Sequence, residues 1–239
     1  MPDLVVNVNQ VAALRQRPNA NHPDPAAAAV LAELAGAVGI AVRFTGDRRY
    51  VNDRDIRVLR EIVQGRFVLG MAPTSEMMGM ALDVKPDEVV LIPEHPAEAT
   101  TDGGLDLLLD RPDINDTIAT IRDSGIPVFL LTDPDPEHIK IAHRLNVDGV
   151  QIHTGSYAGD ALPSTRERLR ARVVDATKIA VKLKLRVAAG AGLGYNTARA
   201  IGRIKEVETC IIGHSIIARA LLVGMETAVR EMIILLEAH

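Results

Sequence analysis

The chain has 239 residues, a formal net charge of −4 and a hydrophobic content of 47%, with 3% aromatic residues and no tryptophan. This length suits a single domain spanning residues 1–239, and the negative charge argues against general attraction to nucleic acid or to an anionic membrane. The lone cysteine, Cys210, excludes an internal disulfide and fits a reducing compartment. Because neither a signal peptide nor an apolar run of roughly 18 residues is evident, we expect a cytoplasmic protein.

Strand and helix patterns alternate along the chain. The predicted strands, short and rich in branched apolar residues, are Leu4–Val8, Gly39–Phe44, Phe67–Met71, Val89–Ile92, Pro127–Leu131, Gly149–Ile152, Leu185–Ala188 and a run ending at Ile211-Ile212. The predicted helices, with apolar residues at helical spacing, are Pro25–Ala37, Asp53–Val63, Thr74–Val84, a helical region up to Ser124, Pro134–Leu145, a charged helix from Pro163 to Leu183, a segment after Gly213, and Gly224–Ala238.

Regular strand–helix units favour an α/β fold, and we predict a closed (β/α)8 TIM barrel over the competing doubly wound open sheet. The core must be built from Val, Ile, Leu and Ala, because aromatic residues are scarce, and such residues dominate barrel interiors. Cys210 lies in an apolar strand, so we interpret it as a small core residue. The longest predicted loop runs from His153 to Pro163.

Two glycine-rich turns follow the last two predicted strands. Ala189–Gly194 closes the seventh strand, and Gly213-His214 ends the eighth and begins an apolar helix. Glycine lets a ligand approach the backbone, and the free N–H groups at a helix start favour an anion. Glycine turns in this position form the usual phosphate site of a (β/α)8 barrel. The sequence therefore predicts a phosphorylated small-molecule ligand.

Several short segments occur in an order that is typical of one known family. They are Asn7–Arg15, Pro23–Pro25, Asp47–Tyr50, Asp53–Asp55, Thr100–Asp106, Ile152–Gly155 and Ile212–His214. On these segments the chain resembles the pyridoxine 5′-phosphate synthase family over essentially its whole length. The resemblance implies a (β/α)8 barrel with extra helices and a homo-oligomer, an octamer in the family. It also implies condensation of 1-deoxy-D-xylulose 5-phosphate with 3-amino-2-oxopropyl phosphate in vitamin B6 biosynthesis.

The resemblance also implies a set of phosphate- or substrate-binding residues. They are Asn7, Arg48, Arg49, Thr101, His153, Gly192, Leu193, Gly213 and His214, with Thr154 and Gly155 beside them. Taken singly, Asn7 could cap a strand end, the arginines could be solvated surface charges, and the histidines could be structural. We expect no cofactor. We also expect no metal, because His, Cys, Asp and Glu do not cluster at metal-ligand spacing.

The chain departs from the family's pattern where the family has acid–base groups. Arg43 and Ala191 stand at histidine positions, and Gly70 and Gln151 at glutamate positions. Further differences are Asn9-Gln10 for an Asp-His pair and Thr45-Gly46 for an Arg and a Glu. Ring closure needs imine formation, several proton transfers and loss of water. Arginine stays charged and amides do not titrate, so these replacements weaken the expectation of the standard reaction.

Two functions of different class remain open. The chain could be an enzyme that makes pyridoxine 5′-phosphate or runs a related reaction, including one on a more anionic substrate. Its candidate chemical groups would then be Glu76, Glu94, Asp102, His153 and Arg43. Alternatively, it could be a non-catalytic paralogue that binds a phosphorylated metabolite as a sensor, carrier or assembly partner. Neither hypothesis involves nucleic acid or a membrane.

Overall fold

The computed structural model describes residues 1–15, 22–94, 103–108, 112–159 and 162–237. In this part of the chain eight parallel strands close into a barrel in sequence order, and β1 pairs with both β2 and β8. The strands are β1 (Asp3–Asn7), β2 (Gly39–Phe44), β3 (Arg66–Met71), β4 (Glu88–Leu91), β5 (Val128–Thr132), β6 (Gly149–His153), β7 (Arg186–Gly190) and β8 (Thr209–Ile212). The predicted (β/α)8 barrel is confirmed, and the alternative of a doubly wound open sheet is wrong.

The helices of the described residues surround the barrel. They are α1 (Asn9–Ala13), α2 (Pro25–Leu34), α3 (Asp53–Ile62), α4 (Ser75–Val84), α5 (Pro112–Asp123), α6 (Pro136–Arg144), α7 (Gly155–Ala158), α8 (Pro163–Lys182), α9 (Ala198–Gly202), α10 (His214–Val223) and α11 (Met225–Glu237). The predicted longest loop contains α7, and α1 and α9 were also not predicted. Helices of four or five residues are too short to show a 3.6-residue period.

Local sequence signals fix where α2 begins and ends. The Asp24 carboxylate accepts a hydrogen bond from the Ala26 N–H at 2.9 Å, and Pro25 occupies the first helical position. At the other end Gly36 has φ +110°, a value that glycine adopts without strain. The helix therefore ends at Leu34 rather than continuing to Ala37 as predicted.

The barrel interior is filled by apolar side chains, because alternate residues of each strand point inwards. This inner core consists of Val5, Ala41, Val68, Val90, Ile92, Phe129, Leu131, Ala188 and Ile211. The intervening strand residues pack against the helices in the larger core, which contains the buried Cys210. Burial raises the pKa of the Cys210 thiol to about 12, so it stays a neutral core residue as predicted.

The two ends of the barrel interior carry polar residues. At the N-terminal end Glu88 is buried, and its carboxylate lies 3.9 Å from the Arg186 guanidinium. Arg66 Nη2 donates to Thr209 Oγ1 at 3.0 Å in the same layer. At the C-terminal end, the next inward positions after Val5 and Ala41 are Asn7 and Arg43. Among the described residues, no helix has the length and apolar character needed to cross a membrane.

Candidate functional site

A cavity of about 270 Å³ lies at the C-terminal ends of the strands, above the apolar interior. Its polar lining residues are Asn7, Asn9, Gln10, Arg43, Gln151, His214 and Ser215. Within the described part of the chain, no aspartate or glutamate lines this cavity, and Arg43 is its one permanently charged side chain. The described lining of the cavity therefore combines apolar side chains of the strands with polar residues and one positive charge.

The turn after β8 places the start of α10 at this cavity. Gly213 is the N-cap, and His214 and Ser215 begin the helix. The first N–H groups of a helix have no partner within the helix and carry its positive dipole end. A Cβ at Gly213 would lie only 2.8 Å from the Asn7 carbonyl oxygen. Close packing against β1 thus requires this glycine, whereas the sequence had suggested only space for a ligand.

The turn after β7 forms the neighbouring wall. Ala191 and Gly192 both have positive φ, +66° and +84°. The buried Thr154 hydroxyl lies 2.7 Å from both the Gly190 and the Ala191 carbonyl oxygens. The Ser215 hydroxyl donates to the Leu193 carbonyl at 2.9 Å and so joins this turn to the start of α10. Both predicted glycine turns therefore border one cavity.

The β2 side of the cavity is organised around Arg43. The Asn9 side chain accepts a hydrogen bond from the Arg43 N–H and donates one to the Arg43 carbonyl at 2.7 Å. Arg43 Nη2 donates to the Pro93 carbonyl oxygen at 3.3 Å. Gly70 is the strand partner of Arg43, and a Cβ there would approach no described atom closer than 3.4 Å. Packing therefore does not require glycine at this position.

The structure brings most of the predicted site residues together. Asn7, Gly192, Leu193, Gly213 and His214 line the cavity. Six of the eight positions at which the chain departs from the family's pattern line it as well: Asn9, Gln10, Arg43, Gly70, Gln151 and Ala191. Ser215 was not predicted as a site residue, although it directly follows the Ile212–His214 segment. Asn9 was noted only as a departure from the family's pattern within the Asn7–Arg15 segment, and its bonds to Arg43 were not predicted. Thr101 and Asp102 lie outside the described residues.

Arg48 and Arg49 were also predicted to bind substrate, but neither lines the cavity. Arg48 forms ion pairs with Asp53 at 3.0 Å and with Glu76 at 2.6 Å, and its guanidinium lies 4.5 Å from the centre of the Phe44 ring. The Arg48 hydrogen bond lowers the pKa of the Asp53 carboxyl. The exposed Arg49 lies over the Tyr50 ring at 5.4 Å. Arg48 connects the starts of α3 and α4, so its contacts in this structure are structural.

His153 faces a crevice beside the cavity. It is 5% exposed, and its Nδ1 lies 4.0 Å from Asp133 Oδ1. Asp133 also accepts a hydrogen bond from the Gly104 N–H at 3.0 Å. Side chains of α6, α7 and α8 also line this crevice, together with Leu108, Pro134 and Asp135.

Two further chemical candidates lie away from the cavity. Glu76 is paired with Arg48, and the exposed Glu94 does not line the cavity but borders a small crevice next to it, which also contains Arg43. Among the described residues, no group of three or more His, Cys, Asp or Glu side chains is placed to hold a metal ion.

Comparisons with known proteins agree with this architecture. The chain is 47% identical over 238 residues to the pyridoxine 5′-phosphate synthase of Desulforapulum autotrophicum, covering 100% of both chains. It is 47% identical over 235 residues to that of Syntrophobacter fumaroxidans, covering 98% of this chain and 99% of the relative. Among solved structures, KGPDC from Streptococcus mutans aligns with a TM-score of 0.64 at 13% identity, covering 99% of this chain and 98% of that one.

The likeness to KGPDC is a likeness of fold alone, because the sequence identity is low. The family described as pyridoxal phosphate biosynthesis protein PdxJ matches residues 4–238, which is nearly the whole chain. With this match and relatives that are 47% identical over their full length, the chain belongs to the PdxJ family of vitamin B6 biosynthesis.

Proposed function

We propose that this protein binds a phosphorylated small metabolite at the C-terminal mouth of its barrel and does not perform the condensation for which its relatives are named. The observation that carries the proposal is the composition of the cavity wall. The two glycine turns and Arg43 border the cavity, while its described lining contains no carboxylate. Such a wall suits an anion but offers few groups that exchange protons.

The phosphate would lie between the two glycine turns. The start of α10 supplies backbone N–H groups and a positive dipole end, which together favour phosphate. The turn at 191–193 borders the same space and is fixed to α10 through the Ser215 hydroxyl. The phosphate would thus meet backbone donors that are already in place.

The same lining argues against ring closure. That reaction needs several proton transfers, and each general acid or base typically contributes about 10²–10⁴ in rate. Among the described residues that line the cavity, His214 has the only imidazole, and the other polar side chains are amides, one guanidinium and one hydroxyl. Glu76 is paired with Arg48, and Glu94 borders the neighbouring crevice, so neither carboxylate lines the cavity itself.

A changed reaction on a more anionic substrate is the second candidate. It is favoured by Arg43, which replaces a neutral-to-cationic histidine of the family's pattern with a permanent positive charge. Both candidate functions, binding alone and a changed reaction, would use the same cavity. Chemical conversion of the bound metabolite would be expected only from an enzyme, so measuring it distinguishes the two.

We extend the proposal to a homo-oligomer. Large apolar side chains are exposed on α2, on α10 and on α11, which contacts both other helices: Val30, Leu31, Leu34, Leu221, Leu222 and Ile234. Apolar residues grouped on one side of a protein commonly mark an interface. Light scattering on the purified protein measures the assembly, and a monomer at micromolar concentration would contradict this part of the proposal.

The test has two arms on the same protein. Phosphate or a phosphorylated ketose should raise the thermal stability, by about 2.7 kcal/mol at a hundredfold excess over Kd. Incubation with both substrates of the family should give no pyridoxine 5′-phosphate by mass spectrometry, while the Desulforapulum autotrophicum relative serves as the positive control. Absence of a thermal shift refutes the binding site, and product at the relative's rate refutes the lost reaction.

A further inference from the structure

The distribution of apolar side chains around the cavity suggests what the rest of the ligand is, provided that the proposed phosphate site is correct. We infer that the metabolite is a phosphate monoester whose other end is a hydrocarbon group rather than a chain that bears hydroxyls. The phosphate would lie at the two glycine turns. The hydrocarbon group would lie against an apolar wall on the opposite side of the barrel, formed by β3, β4 and β5.

The strand order places these two sides opposite each other. The barrel closes in sequence order, so β4 is four strands away from β8 in either direction, and β3 is four strands away from β7. The two glycine turns follow β7 and β8. A molecule that is held by its phosphate at these turns and extends across the cavity therefore meets β3, β4 and β5.

The apolar wall consists of the residues that β3, β4 and β5 contribute to the cavity lining: Val68, Gly70, Val90, Ile92 and Leu131. Residues two apart in a strand face the same side, so both residues from β3 face inwards, as do Val90 and the residue that follows β4, Ile92. None of the five has a polar side-chain atom. A ligand hydroxyl against this wall would lose its water without gaining a side-chain partner, which weakens binding.

The wall also leaves room for a ligand group. A Cβ at Gly70 would lie 3.4 Å from the Val42 carbonyl oxygen and 3.7 Å from Ile92 Cδ1, so protein atoms do not fill the space beside this glycine. The whole cavity has a volume of about 270 Å³. This volume admits a short hydrocarbon group on a phosphate rather than a long lipid chain.

The polar side chains near the cavity have contacts that lie away from this wall. The Gln151 amide lies over β7, because its Nε2 would be 2.7 Å from a Cβ at Gly190. The Asn9 amide bonds to the backbone N–H and carbonyl of Arg43. Arg43 Nη2 donates to the carbonyl oxygen of Pro93 at 3.3 Å, beyond the end of β4. The phosphate side of the cavity is therefore the more polar one, and the side of β3 to β5 the more apolar.

Propyl phosphate and glycerol 3-phosphate make a matched pair of probes. Both are phosphate monoesters of a three-carbon chain, and they differ only by the two hydroxyls of the glycerol. Isothermal titration of the wild-type protein should show that propyl phosphate binds more tightly by about tenfold or more, since a buried hydroxyl without a partner is costly. Butyl phosphate should bind about fourfold more tightly again, as one further buried methylene gives. Inorganic phosphate should compete with all three esters.

Two substitutions place a hydroxyl on the apolar wall. Val90→Thr nearly keeps the shape of the side chain, and Gly70→Ser uses the open space beside the glycine. Each should lower the preference for propyl phosphate by about threefold or more. Val5→Thr is the matched control, because Val5 belongs to the same inner core but does not line the described cavity, and it should keep the wild-type preference. If the valine variants do not fold by circular dichroism, Gly70→Ser and the wild-type series of esters still decide the question.

Failure of this inference can be told apart from failure of the proposed function. If neither inorganic phosphate nor any ester binds the wild-type protein, the proposed phosphate site is refuted and this inference with it. If phosphate or glycerol 3-phosphate binds but propyl phosphate binds no more tightly, only the hydrocarbon group is refuted and the phosphate site stands. The same conclusion follows if Gly70→Ser and Val90→Thr keep the full preference, or if inorganic phosphate binds without displacing propyl phosphate.

Discussion

Asn9 holds the main chain of Arg43 through both atoms of its side-chain amide. Its Oδ1 accepts the Arg43 N–H, and its Nδ2 donates to the Arg43 carbonyl at 2.7 Å. The amide thereby extends the pairing of β1 with β2 by one side chain beyond Asn7. An aspartate at this position could accept the N–H but could not donate to the carbonyl. The side chain of Asn9 is thus matched to the backbone of Arg43.

Asn9→Asp should therefore destabilise the protein. The substitution leaves the Arg43 carbonyl without its donor and places a carboxylate oxygen against it, which we expect to cost about 1–3 kcal/mol in the free energy of unfolding. Urea denaturation at pH 7 measures this loss. Gln10→Glu makes the same change from amide to carboxylate at the next residue, for which no such pair of hydrogen bonds to the backbone is observed. It should therefore reduce the free energy of unfolding by less. Equal stabilities of the two variants would contradict the role of Asn9.

Gly213 and Gly70 form a second matched pair. A Cβ at Gly213 would lie 2.8 Å from the Asn7 carbonyl oxygen, whereas the nearest atom to a Cβ at Gly70 is 3.4 Å away. Gly213→Ala should cost about 1–3 kcal/mol of stability through overpacking, and Gly70→Ala should be close to neutral. Thermal and urea unfolding compare the variants. A fully stable Gly213→Ala protein would mean that β1 and the turn after β8 can separate at little cost.

A genetic experiment tests the proposed loss of the standard reaction. A bacterial strain lacking pyridoxine 5′-phosphate synthase should not grow without added vitamin B6 when it expresses this chain. Rate losses from groups that act together are not additive, yet a cavity without carboxylates leaves little capacity for the proton transfers. The Desulforapulum autotrophicum relative, expressed at the same level, is the positive control. Growth supported by this chain would refute the proposal.

Glu88 makes a prediction about pH. Burial raises the pKa of its carboxyl above the unfolded value, even though Arg66 and Arg186 act in the opposite direction. The native state therefore holds this proton more tightly than the unfolded state, and the resulting stability is lost as pH rises through the folded pKa. Because the glutamine in Glu88→Gln cannot ionise, this variant does not lose stability in this way as the pH rises.

As the pH rises from 4 to 8, the wild-type protein should therefore lose free energy of unfolding relative to the Glu88→Gln variant. Urea denaturation across this range measures it. Glu208→Gln is the control, because Glu208 is exposed and pairs with Arg186 at 2.9 Å in the same region. A difference that stays constant with pH, or one that shifts toward the wild-type protein, would contradict the raised pKa.

Much of the fold could be predicted because its signals are local. The strands appear as short branched apolar runs, and the two ends of α2 are set by Asp24 and Gly36. The helices α1, α7 and α9 were not predicted, because the 3.6-residue repeat of apolar side chains cannot be recognised in four or five residues. Their positions depend on contacts with neighbouring loops rather than on their own sequence.

The candidate site could be predicted only in part. The glycine turns at Gly192 and Gly213 were found from the sequence because a turn between strand and helix has a local signature. The partners of Arg48 and His153 could not be found in this way. Arg48, in the loop after β2, pairs with Glu76 of α4, and His153 at the end of β6 approaches Asp133, which directly follows β5. Neither contact joins residues that are close in the sequence.

The sequence by itself determined the barrel and the location of its glycine turns, since strand, helix and turn preferences act over a few residues. The tertiary structure alone decided which side chains share one cavity. Closure of β8 on β1 brings Gly213 against Asn7 from opposite ends of the chain, and the pairing of β1 with β2 places Asn9 on Arg43. Barrel closure sets these contacts, because the distance between two side chains depends on strand order and register rather than on separation along the sequence.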